Sequence, residues 1–327
     1  MGRKKIKNLG RRRKIKNRTE NIFKKSLILI GVIVSIISVY FITKYVDEFY
    51  KKKNIESSKI EFYMDIADEA SDLQTQINWQ DLMAIDLVIN DGDLSEIRKK
   101  DSLDIAEKFV IKNKDKDGKL AYQVESFESV LNKLKFKENS KKKAKKYKAE
   151  LKYSFLGNKE LNNDSREIKF IKKIEDLAIK NYYKYNILPS ITMAQCILES
   201  GWGESKLSLS SNNLFGIKAD KRWSGESVEV STSENYNDKI QASFRVYESI
   251  EGSINDHGKF LTENKRYTEH GLFEAKHYTT QAQSLENAGY STKANEKGEK
   301  IYADMLINLI RNYNLQIVDN KVQIKKK

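Results

Sequence analysis

Among the residues able to do chemistry, one carboxylate has an unusual setting. In 189-PSITMAQCILES-200 the residues Ile191, Met193, Ala194, Cys196, Ile197 and Leu198 leave almost no polar face, and the only acid, Glu199, comes in the last turn. A helix that is apolar all round is buried all round, so Glu199 emerges where the core ends. Partial desolvation, the negative end of the helix dipole and the neighbouring Trp202 all favour its neutral form. A carboxylic acid kept protonated near neutrality is what glycosidic bond cleavage needs to protonate the leaving oxygen. The plain alternative is a helix-terminal glutamate in a salt bridge.

Strand parity offers Glu234 as a second carboxylate if the face it shares is the cleft side; the plain alternative is a strand-end glutamate facing solvent. Val228, Val230, Thr232 and Glu234 alternate along one strand, the turn 235-NYND-238 follows, and Ile240, Ala242, Phe244 and Val246 alternate on the return. Glu234 then shares the side of Val228 and Val230, and Glu229 points to the other. Between the two acids lie the turn-rich stretches 211-SNNLFGIKA-219 and 222-RWSGESVEV-230. Their aromatic rings can stack on sugars, and their asparagines can bond hydroxyl or acetamido groups.

Other reactive groups read as structural. Cys196 is the only cysteine, so no internal disulfide is available, and its place within the apolar helix favours core packing over nucleophilic work. His257, His270 and His277 match no zinc spacing, and His257 fits a helix face with Ile250, Ile254 and Leu261. The stretch 113-NKDKDGKLAYQVE-125 begins like a calcium loop at Asn113, Asp115, Asp117 and Gly118. Its twelfth position is Val124 where a bidentate carboxylate belongs, so an Asp-Gly turn is expected. No metal and no cofactor are implied.

The elements that must position these residues are mostly helical. Ile168, Ile171, Ile174 and Ala178 mark the buried face of a helix opened by a capping box from Asp164 to Glu167. The next helix starts at Pro189-Ser190, with Ser190 as its N-cap. Upstream, Leu82, Ile85, Val88 and Ile89, then Phe127, Val130, Leu131 and Leu134, have helical spacing, so residues 45–136 read as a helical accessory region or stalk. The Lys-rich stretch 135-KFKENSKKKAKKYK-148 reads as a solvated linker or helix face. A linker is therefore expected over 137–163, a catalytic domain over 164–318 and a basic tail over 319–327.

Charge separates the N-terminus from the rest. Residues 1–53 hold 16 Lys/Arg and 3 Asp/Glu, so of the chain's net +14 only +1 belongs to residues 54–327. A nucleic-acid-binding domain is thereby disfavoured. A basic tail over 1–25 precedes 26-SLILIGVIVSIISVYFIT-43, eighteen residues without a charge. A helix of that length spans about 27 Å, close to a hydrocarbon core of about 30 Å. No small-residue cleavage site follows. The expectation is a signal anchor in the cell membrane, with the basic tail cytoplasmic and the catalytic region on the outer, wall side.

The segment 189-PSITMAQCILESGWGES-205, with 213-NLFGI-217, resembles the glucosaminidases of glycoside hydrolase family 73, which include flagellar-assembly and autolysin-type peptidoglycan hydrolases. The resemblance continues through Trp223-Ser224-Gly225, Thr232-Ser233-Glu234, 244-FRVYESI-250, Asp256-His257, Phe260-Leu261, Asn264 to Tyr267, and 288-AGYST-292, covering about residues 166–316. It implies an α+β, lysozyme-like fold, mainly helical with a small β-hairpin lobe. It also implies hydrolysis of the β-1,4 bond after N-acetylglucosamine in peptidoglycan. Glu199 matches the family's acid, Glu234 a second carboxylate, and Tyr290 the tyrosine of the A-G-Y motif near the site. Trp202, Asn213, Phe215, Gly216, Trp223, Tyr247 and Tyr267 become the candidate substrate-binding residues. The sequence departs from the family after Thr292, where 293-KANEKGEKIY-302 replaces Asp-Pro and a nearby Tyr. Two other readings are a lytic transglycosylase or muramidase-type enzyme on the same polymer, and a catalytically dead wall-binding scaffold.

Overall fold

Pro189 fixes the first turn of a helix that runs to Ser200, and nine consecutive residues from Pro189 to Ile197 are buried. In the computed structural model the described residues are 55–114, 118–157, 161–234 and 238–324, with Ile37, Ser38 and Tyr40; the side chains of 232–240 lie outside that description. The expected basic tail at 1–25 lies outside the described residues, as does the apolar stretch 26–43 save those three. Among the described residues no helix is long and apolar enough to cross a membrane.

Residues 55–327 form one unit with two hydrophobic cores. The first core is built by α1 (Ser57–Ala70), α2 (Trp79–Ile89), α3 (Lys99–Ala106), α4 (Phe127–Lys133) and α5 (Glu138–Leu151). Tyr63, Trp79, Leu82, Ile85, Phe109 and Val130 are fully enclosed there; of the helically spaced residues, Val88 and Leu134 are only partly buried and Ile89 is exposed at the end of α2. A two-stranded antiparallel hairpin, β1 (Val110–Lys114) with β2 (Leu120–Val124), lies between α3 and α4. Its turn includes Gly118 at φ +78°, in keeping with the Asp-Gly turn; residues 115–117 lie outside the described part.

The Lys-rich stretch is not a linker. Residues Glu138–Leu151 form α5, which buries Ala144 and Leu151 and packs on α2. Lys148 pairs with the enclosed carboxylate of Asp81, and the Leu151 carbonyl accepts a bond from the Gln80 amide. Its other lysines cover the solvent face, which is why composition alone looked like a tether.

The second core surrounds the apolar helix. It takes in α6 (Arg166–Tyr185), α7 (Pro189–Ser200), α8 (Lys206–Ser211), α9 (Ile250–Glu263), α10 (Lys265–Glu269), α11 (Tyr278–Asn287), α12 (Tyr302–Asn312) and α13 (Gln316–Gln323). A second hairpin, β3 (Ser227–Glu234) with β4 (Asp238–Arg245), stands where alternation predicts one, with Asp238 of the expected turn already in the return strand. Val228 faces Phe244, Val230 faces Ala242 and Glu234 pairs with Asp238. The result is mainly helical with two small hairpins, as expected of an α+β fold.

Three local expectations change. Ser165, not Asp164, holds the N-cap position of α6, and no capping box forms there. Ser190 does not cap α7: Leu188 holds that position, and both the amide and the hydroxyl of Ser190 donate to the Asp319 carboxylate. The expected basic tail from 319 is therefore largely a helix, α13, with Val318, Asp319 and Asn320 buried. A carboxylate at a helix N-terminus meets unpaired backbone donors. Burial nevertheless pushes the Asp319 carboxyl up to about 7.

Candidate active site

Glu199 sits in the last turn of α7, mostly enclosed, and burial raises its carboxyl above the usual range. Two influences oppose that rise. The Tyr302 hydroxyl donates to Glu199 Oε1 at 3.0 Å, and the positive charge of Lys293 acts on the carboxylate. Tyr302 is itself oriented by Gln195, whose Nε2 donates to the phenol oxygen at 3.1 Å. Gln195 lies one helical turn before Glu199, on the same face of α7. Neither Gln195 nor Tyr302 is among the site residues that the sequence motifs point to. A polar residue four positions before the acid in an oily helix was a usable signal for Gln195. Nothing local pointed to Tyr302, which lies 103 residues away.

Tyr290 lies against Tyr302, the partner of the acid. Its ring stacks on Tyr302 with centroids 5.3 Å apart and planes at 22°, and the charge of Glu199 helps push its phenol well above the ordinary range, after burial itself. Behind Tyr290 an aromatic wall continues through Tyr267, at 6.3 Å, and His257, at 6.1 Å. His257 is fully buried on α9 and stacks on Phe215 at 3.8 Å; burial pushes its imidazole down to about 3, so it is neutral.

The helix ends on a turn built by E-S-G-W-G. Gly201, Trp202 and Gly203 have φ of +58°, +64° and +76°, and the Trp202 amide bonds back to the Ile197 carbonyl. A Cβ on Gly203 would come within 2.6 Å of the Phe170 ring, whereas Gly201 has open space around it. Trp202 packs edge-on against Tyr313 at 4.8 Å and Phe170 at 6.2 Å. Half of this motif therefore docks the turn onto α6.

Several candidate substrate contacts turn out to be enclosed. Asn213 is 1% exposed; its Nδ2 donates to the carbonyls of Ile217 and Arg245, and its Oδ1 accepts from the Ile217 amide. That amide clamps the loop onto β4. Tyr247 donates to Asp256 at 2.7 Å, and Arg245 joins the same carboxylate at 2.7 Å, which ties the hairpin to α9. Tyr267 is fully buried, with Arg266 donating to its hydroxyl. Asn213, Phe215, Tyr247 and Tyr267 are thus held within the fold by these contacts. Gly216, at φ +64°, has open space where a side chain would stand. Trp223 is half-exposed, with its Nε1 bonded to the Glu226 carbonyl, and lines a surface groove with Gly225, Tyr247 and Gly252. Glu234 ends β3; its side chain lies outside the described residues.

Cys196 is fully enclosed, and burial pushes its thiol up, which suits packing and not attack. Among the described residues no group of three or more His, Cys, Asp or Glu could hold a metal ion.

Residues 175–315 match the glucosaminidase family model, described as mannosyl-glycoprotein endo-beta-N-acetylglucosaminidase. The exo-glucosaminidase LytG of Bacillus subtilis is 34% identical over 172 residues, which cover 49% of this chain and 57% of that protein. The peptidoglycan hydrolase FlgJ of Vibrio parahaemolyticus is 34% identical over 146 residues, covering 43% of this chain and 45% of its own. The chain thus spans about half the length of the curated relatives it matches. Among solved structures, the catalytic domain of the autolysin Auto from Listeria monocytogenes is 32% identical with a TM-score of 0.42, covering 48% of this chain and 90% of that one. Residues 175–315, which carry Glu199, Tyr290 and Tyr302 together, are the part of the chain that matches the glucosaminidase family.

Proposed function

We propose that the protein hydrolyses the β-1,4 bond after N-acetylglucosamine within peptidoglycan strands, with Glu199 as general acid. The observation that carries this is the buried Glu199 carboxyl, raised by desolvation and held by Tyr302. Because Tyr302 donates to Oε1, Oε2 is the oxygen free to carry the proton. The proton passes from Oε2 to the glycosidic oxygen as the bond from that oxygen to the sugar C1 breaks. Water then adds to C1. Its proton goes to Glu234, or the substrate's own acetamido oxygen first closes on C1 as the bond to the leaving oxygen breaks, and water then opens that ring and returns a proton to the Glu199 carboxylate. Tyr290 and Tyr302, stacked beside the acid, restrict water around it. The endo mode, internal to the strand, is part of this proposal.

The proposal extends to location. The uncharged stretch 26–43 behind a basic tail supports a single-pass anchor, with residues from about 45 onward on the wall side.

The test is digestion of purified peptidoglycan with product analysis. Glu199→Gln is expected to lower the rate by about a thousandfold or more while leaving the circular dichroism spectrum intact. New reducing N-acetylglucosamine ends are expected; 1,6-anhydro ends would overturn the hydrolytic reading. Strong loss in Glu234→Gln identifies that residue with water activation, and retention of most activity identifies the acetamido route.

A further inference from the structure

The stretch 293–302 is where the sequence departs from the family it resembles; the tyrosines that bracket it, Tyr290 and Tyr302, stack on each other, and Tyr302 bonds to Glu199. The loop is closed by its backbone. Ile301 N donates to Lys293 O at 3.3 Å, Ala294 bridges Lys300, and Asn295 holds the tip through Glu299, with Gly298 at φ +80°. The closing pair fixes Lys293 opposite Ile301, the residue before the tyrosine that holds the acid. Lys293 is exposed, and among the described residues its ammonium has no ion-pair partner. Its charge reaches the Glu199 carboxyl. The next lysine that turns back, Lys300, is bonded to the Glu286 carbonyl.

Resting on the proposed cleavage after N-acetylglucosamine, we propose that Lys293 determines specificity by binding the free lactyl carboxylate of the muramyl sugar on the leaving side. The reason lies in the polymer. Cleavage after N-acetylglucosamine makes O4 of the muramyl sugar the leaving oxygen, and the lactyl ether is attached to the adjacent O3. A cation beside the proton donor therefore stands next to the lactyl group. When a stem peptide is present that carboxyl is an amide and carries no charge. When the peptide has been removed it is a carboxylate. Charge-assisted hydrogen bonds are about twice as strong as neutral ones, so Lys293 favours strands stripped of peptide. The enzyme would then act after an amide-cleaving step that exposes those carboxylates.

The experiment compares kcat/KM of the full chain in detergent on one preparation of glycan strands, with peptides intact and after enzymatic removal of the peptides. The wild-type protein is expected to prefer stripped strands by about fivefold at low salt. The preference should shrink above about 0.1 M salt, where the screening length falls to about 10 Å. Lys293→Gln should bring the ratio near one, and Lys293→Arg should restore it. A wild-type ratio of one or less, or a preference that Lys293→Gln keeps, overturns the proposal. Failure of the wild-type protein to release N-acetylglucosamine ends from either substrate would instead bring down the glucosaminidase reading itself.

Discussion

Burial pushes the Glu199 proton affinity up, while Tyr302 and Lys293 pull it down, and the balance decides when the acid is loaded. Removing the Tyr302 hydroxyl takes away a bond that favours the carboxylate, so the folded-state pKa rises further. A general acid works only while protonated, so activity is lost as pH rises through that pKa. Tyr302→Phe should therefore move the alkaline limb of the pH–rate profile to higher pH. It should also lower kcat by about tenfold, because the carboxyl loses its fixed orientation. An unchanged alkaline limb would show that the 3.0 Å bond has no influence on the acid. Glu199 was legible in the sequence because its helix has no other acid. Tyr302 was not, because its meaning comes only from contact across the fold.

At the scale of elements, the turn after α7 shows which parts of a motif face substrate and which face the protein. Gly201 and Gly216 leave open space, but Gly203 lies against Phe170 of α6. Gly203→Ala would place a methyl within 2.6 Å of that ring at a φ of +76°, combining overpacking with left-handed strain. The expected cost is about 2–4 kcal/mol, read from the urea unfolding midpoint. The loss of lytic activity should be larger than the fraction unfolded explains, since the turn carries the acid. Periodicity placed α2, α4, α6, α7 and the β3–β4 hairpin well, because burial of one face is written directly into residue spacing. The caps of α6 and α7 were misplaced. For α7, the group that satisfies its first turn is Asp319, a distant side chain that helix-start rules cannot see.

For the whole molecule, the helical region expected to be a stalk is joined to the second core by buried and part-buried polar bonds. Asp68 on α1 accepts from Tyr278 at 2.6 Å, His277 at 3.2 Å and Arg311 at 3.3 Å. Trp79 Nε1 donates to Asn314, and Gln323 on α13 accepts from Thr75 and from the Gln76 amide. Arg311 and Tyr302 share α12, so this joint also supports the helix that presents the acid's partner. Asp68→Ala removes the acceptor shared by Tyr278, His277 and Arg311, although Arg311 keeps its 2.6 Å pair with Asp65. Destabilisation of residues 55–327 by about 3 kcal/mol is expected in urea unfolding, as one cooperative transition. Two separate transitions in the wild-type protein would mean that the cores fold independently.

The sequence by itself determined the apolar helix with its terminal acid, the two alternating strands of the hairpin and the half of the chain that carries the family's motifs. These follow from spacing, which local geometry converts directly into buried faces. Only the tertiary structure decided that Tyr302 and Gln195 hold the acid, that Asn213 and Tyr247 serve the scaffold, and that the lysine-rich segment is a packed helix. Each of those depends on which distant groups share a desolvated space, and burial makes a polar side chain's role a property of its partners.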